Sequence, residues 1–134
     1  MRIYSIDHRK KRTGLAVTDP LQIIAGGLGT VETSVLYEYI EAYIQREQVE
    51  RIVIGKPMQP NGQPSENMVR VENFYNRWRK AHPEIPIEYY DERFTSVLAH
   101  RAMIDGGVKK KTSRENKGLV DEISATIILQ DYLQ

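Results

Sequence analysis

The chain has 134 residues, no cysteine and a formal net charge of +1, with 19 Lys and Arg against 18 Asp and Glu. That length suits a single domain, residues 1–134, with a real core, and the missing cysteine excludes disulfides and thiolate metal sites, so oxygen or histidine nitrogen must hold any metal. The near-neutral balance argues against a histone-like polycation, no run approaches the roughly 20 apolar residues that span a bilayer, and the N-terminus lacks an apolar signal core, so we expect a soluble, cytosolic protein.

In chain order, Arg2 to Asp7 is rich in β-formers, and Gly14 to Val17 ahead of Thr18-Asp19-Pro20 reads as a second strand ending in a turn, which predicts a hairpin. Gln22 to Val31 reads as a third strand, with Gly26, Gly27 and Gly29 weakening it or marking a bulge. From Ser34, an expected N-cap, Leu36, Tyr39, Ile40, Tyr43 and Ile44 recur on one helical face. Arg51 to Gly55 is a short apolar run, the mark of a strand covered on both faces. A proline-rich loop, Lys56 to Ser65, precedes a second helix with Met68, Val71, Tyr75 and Trp78 in phase. Pro86 to Tyr90 alternates as a strand, Thr95 is placed to cap a third helix ending at Gly106-Gly107, and a basic loop leads to an oily last helix from about Glu115 to Leu133. Strands joined first by a hairpin and then through helices predict an α/β sheet that starts antiparallel and continues parallel.

Chemistry concentrates at three acidic positions. Asp7 ends the first strand, where loops converge in α/β sheets, and Asp91-Glu92 ends another. Asp121 shares a helical stripe with Ala125, Ile128 and Tyr132, and a carboxylate in so oily a segment must be paired, for instance with Lys117, or bind a metal. Oxygen donors without cysteine or clustered histidine fit Mg²⁺ or Mn²⁺, and two such ions about 4 Å apart stabilise both the attacking water and the leaving oxygen in phosphodiester cleavage. Two basic clusters stand ready for phosphates: Arg9, Lys10, Lys11 and Arg12, and then Lys109, Lys110, Lys111, Arg114 and Lys117. Strand alternation turns His8 away from Asp7, and His8, His82 and His100 read as structural, without partners.

The stretches "IDHRKKRTGLAVTDP" (Ile6 to Pro20), "IVIGKPMQPNGQPSE" (Ile52 to Glu66), "YDERFTS" (Tyr90 to Ser96) and "KGLVDEISATIILQDYL" (Lys117 to Leu133) occur in an order and spacing that resemble the YqgF family, Holliday-junction resolvase-like nucleases with a ribonuclease H-like fold. The resemblance covers essentially the whole chain. It implies a five-stranded mixed sheet with the first three strands antiparallel and helices on both faces. It also implies a catalytic and metal-binding triad of Asp7, Glu92 and Asp121, with Asp91 as a supporting acceptor. Arg93 and Thr95 would contact phosphate or brace the acids, and Lys56 with Asn61 to Gln63 would border the substrate groove. The implied activity is divalent-metal-dependent cleavage, either in 5′-end maturation of precursor 16S ribosomal RNA or of branched DNA, by a monomer or homodimer without membrane involvement. One position departs from the family: Arg9 stands where a glycine is usual, so either the turn is rebuilt with Arg9 as a phosphate ligand, or access to Asp7 is impaired. Two other classes remain in view. One is a non-catalytic nucleic-acid-binding factor; the other is an actin-like ATPase, for which the chain is too short to supply a second nucleotide-binding lobe.

Overall fold

Alternation along the first strand, β1 (Arg2–Asp7), sends Tyr4 and Ile6 to one face of a sheet and Ile3 and Ser5 to the other. The computed structural model describes residues 1–57, 65–91 and 117–133. Within them, β1 pairs antiparallel with β2 (Arg12–Thr18), which pairs antiparallel with β3 (Ala25–Glu32). On its other side β1 pairs parallel with β4 (Val49–Lys56), and β4 with β5 (Ile87–Asp91), giving the order β3-β2-β1-β4-β5. The expected hairpin and the change from antiparallel to parallel pairing are both present. Ile52, Val53 and Ile54 are fully buried, as a strand covered on both faces requires.

One face carries α1 (Leu36–Arg46) and α2 (Met68–Ala81), whose Leu36, Ile40, Val71 and Trp78 close over Tyr4, Ile6, Leu15 and Ile54. The other carries α3 (Lys117–Tyr132), whose Ala125, Ile128 and Leu129 pack on Ile3, Ala16 and Val53. Burying such aliphatic side chains contributes about 1.5–3 kcal/mol each before chain entropy is charged.

Local chemistry moves three expected boundaries or partners. The third strand begins at Ala25 rather than Gln22, because the Asp19 carboxylate accepts the N–H groups of Ile23 and Ile24, each at 2.8 Å, and closes a turn there. The expected bulge is found, since Leu15 pairs with Gly29 but Ala16 with Gly27, leaving Leu28 extra beside a glycine at φ +135°. Ser34 does not cap α1; it lies in a 3₁₀ turn, Thr33–Val35, and α1 starts without a side-chain cap. His82 also differs from expectation: it contacts Glu41 at 3.0 Å and Glu84 at 3.3 Å and stacks on Trp78. The expected helix from Thr95 and the basic loop lie outside the described residues.

Candidate active site

Ser5 and Asp7 point from β1 toward α3, and the helix meets them in step. Ser5 Oγ donates to the Ala125 carbonyl at 2.9 Å, and Asp121 lies one helical turn before Ala125. Two strand residues rise about 6.6 Å and four helical residues about 6 Å, so running antiparallel the two elements bring Asp121 level with Asp7. Gly14 makes this approach possible. It sits opposite Asp7 on β2, and a Cβ there would overlap the Asp121 carbonyl. On β3, Gly27 leaves room in the same way for the Glu122 side chain, which lies against the sheet rather than in solvent.

Asp7 is fully buried and Asp121 nearly so. A single guanidinium nitrogen reaches both: Arg9 Nε lies 3.2 Å from Asp7 Oδ2 and 3.7 Å from Asp121 Oδ1. Arg12 Nε lies 3.4 Å from Asp121 Oδ2. Asp121 is thus met by two arginines from the β1–β2 turn; the Lys117 side chain, its expected partner, lies outside the described residues. Burial and the neighbouring Asp7 charge push the Asp121 carboxyl above the ordinary range, against the pull of Arg9 and Arg12. Asp7 Oδ1 is buried with no hydrogen-bond partner among the described residues.

The backbone at Arg9 needs no left-handed conformation, because Gln22 is the only non-glycine residue with positive φ among the described residues. In this arrangement Arg9 serves as an internal counter-ion to the two acids. Thr33 holds this turn: its N–H donates to the Lys11 carbonyl at 2.9 Å, its hydroxyl to the Arg9 carbonyl at 2.6 Å, and it bonds Thr13 at 2.8 Å.

Lys10, Lys11 and Arg12 line a shallow depression with Glu32 and Ser34 beside the acids. Lys56 is not brought there; it lies over the Tyr89 ring, which stacks on Tyr75 of α2 on the opposite face. Asp91 shares the parity of Ile87 and Tyr89, whose side chains belong to that same α2 face. Glu92, Arg93, Thr95, Lys109, Lys110, Lys111 and Arg114 lie outside the described residues, and Lys117 opens α3. Gly14 and Thr33 were missed by sequence reasoning. A glycine at the start of a strand, beside a strand-end acid, was the available signal for the first; Thr33 gave none, since nothing local ties it to a turn more than 20 residues earlier.

The donor set suits a hard divalent cation: anionic oxygens, one of them an unpartnered buried carboxylate atom, at a point where the fold already seats a positive group. Among the described residues no three potential ligands cluster, so a third would come from elsewhere in the chain.

Comparison with known proteins gives the family and the fold. The family described as "RuvX: Holliday junction resolvase" matches residues 1–134. A protein of Phocaeicola vulgatus named "Putative pre-16S rRNA nuclease" is 62% identical over 99% of this chain and 95% of its own length. One of the same name from Bacteroides thetaiotaomicron is 59% identical over 99% of this chain and 96% of its own. Among solved structures, T. thermophilus RuvC in complex with Holliday junction substrate superposes with a TM-score of 0.57 at 13% identity, covering 96% of this chain and 92% of that one. The fowlpox virus Holliday junction resolvase gives 0.52 at 14%, covering 99% and 98%. At such identities the likeness is one of fold, and that fold is ribonuclease H-like.

Proposed function

We propose, for a chain that belongs to the RuvX family and is a nuclease, that its single domain hydrolyses phosphodiester bonds at Asp7, Glu92 and Asp121, in 5′-end maturation of precursor 16S ribosomal RNA. The observation that carries this reading is the convergence of Asp7 and Asp121, from opposite ends of the chain, on one buried point at a strand end. The substrate follows the names of the relatives. The family's own description favours branched DNA as the second reading.

Asp7 and Asp121 would hold the divalent cation, Mg²⁺ or Mn²⁺, with Glu92 as third ligand; Asp91 shares the parity of the residues on the α2 face of β5. When bound, the cation supplies charge neutralisation at the phosphate and activation of the attacking water. The chain's own residues do the rest. Burial by α3 keeps bulk water from the two carboxylates. Arg9 and Arg12, each about half-exposed, have room to leave the acids and meet the phosphate oxygens. Lys10 and Lys11 extend the same positive rim.

Asp7→Asn and Asp121→Asn should each abolish Mn²⁺-dependent cleavage of a 5′-extended 16S precursor while leaving the circular dichroism spectrum unchanged. Cleavage that persists in both variants would refute the site. Cleavage by the unaltered chain of a four-way DNA junction, with the RNA left intact, would shift the assignment to the second reading.

A further inference from the structure

On the opposite face of β1 from the acids, a cavity of about 300 Å³ opens between the start of α1 and the side of α2. Its lining includes Arg70, Asn73 and Arg77 on α2, His8 from the end of β1, and Ser34 and Glu38 near α1. Arg70, Asn73 and Arg77 recur at helical spacing and form one stripe, with the two guanidinium groups separated by about 10 Å of helix.

Neither arginine is engaged by an acid among the described residues. Arg77 lies over the Tyr37 ring, with its Cζ 3.6 Å from the ring centroid, a contact that holds the guanidinium in place through its face. Arg70 is exposed at the rim. Glu38 is the single carboxylate in the lining.

The second observation is His8. It is only 7% exposed, its ring packs 5.8 Å from that of Phe74, and its Nδ1 is buried without a hydrogen-bond partner among the described residues. Its carbonyl accepts from Asn67 Nδ2, which ties the end of β1 to the start of α2. A buried imidazole in the wall of a pocket flanked by two unpaired guanidinium groups is suited to an anion with several acceptor oxygens.

We propose that this pocket binds a phosphate of the substrate strand flanking the cleaved bond, with Arg70 and Arg77 gripping its oxygens and His8, Asn73 and Ser34 lining its seat. The inference rests on the nuclease reading above and extends it. His8 directly follows Asp7, so a strand passing over the end of β1 reaches the acids on one face and this pocket on the other.

The test is binding of a single-stranded oligonucleotide in EDTA, where nothing is cut, followed by fluorescence anisotropy across a salt series. Arg70 and Arg77 are exposed on a helix, so Arg70→Ala/Arg77→Ala should fold normally. Its affinity should fall about tenfold or more, and the slope of log affinity against log salt should shrink by about one. Arg79→Ala/Lys80→Ala, farther along the same helix, removes the same charge and should leave the slope within half a unit of the unaltered chain. Equal losses in both double variants would reduce the effect to net charge and overturn the pocket. An unchanged slope in the Arg70/Arg77 variant, with the unaltered chain binding normally, would overturn the pocket and leave the nuclease reading standing. No binding by the unaltered chain to RNA or DNA would overturn both. Inorganic phosphate or a nucleoside monophosphate that competes at the oligonucleotide's own concentration range would assign the pocket to a free phosphate and overturn its role in holding the strand.

Discussion

His8 is a single residue whose surroundings fix a measurable property. Burial, and then the Arg70 charge, push its pKa down from 6.5 to about 4. A group with a depressed folded pKa of this basic kind is neutral in the native state but takes up a proton when unfolded, so its stabilisation is present above pH 6.5 and lost as pH falls toward 4. Between pH 7 and pH 5 the loss is about 2 kcal/mol. His8→Phe, which keeps a ring beside Phe74, should remove that share of the acid sensitivity, seen in urea unfolding at the two pH values; equal pH dependence in both proteins would contradict it. At this scale much was legible in the sequence. Asp7 and Asp121 were singled out as a strand-end acid and a charge on an oily helical stripe, and the turn of His8 away from Asp7 followed from strand parity. The partners of Asp121 were not legible, because Arg9 and Arg12 reach it only after the hairpin and α3 have been stacked, and an i, i+4 lysine was the only cation that sequence alone placed nearby.

At the scale of elements, the site depends on how closely α3 lies on β2. The surface beneath α3 is built from small residues, Gly14, Ala16 and Gly27, and at Gly14 the neighbour is helix backbone, which has no side chain to swing aside. Gly14→Ala should therefore destabilise the protein by about 3 kcal/mol and lift Asp121 away from Asp7, with loss of cleavage beyond what reduced stability explains. Denaturant unfolding checks the first part, and a cost under about 0.5 kcal/mol would contradict it. Strands and helices themselves were readable from period and punctuation. The depth of their contact was not, since hydrophobic periodicity says which face of α3 is buried and nothing about how near its axis comes to the sheet.

Across the whole molecule, the net charge of +1 conceals an arrangement in which acids and arginines share one end of β1, with a second pair of arginines around the corner on α2. The change from antiparallel to parallel pairing was legible because hairpin and crossover rules leave few topologies. What the sequence left open at Arg9 is a matter of tertiary balance: the guanidinium occupies the point between two carboxylates that a divalent cation would also seek. The central claim is that Asp7 and Asp121 form a metal-dependent nuclease centre, and the most direct measurement is anomalous scattering from a crystal of the protein soaked in Mn²⁺. The account predicts a manganese peak bridging Asp7 and Asp121, with the Arg9 side chain displaced from both. An Arg9 still lying across the two carboxylates at saturating Mn²⁺, with no peak beside them, would contradict it.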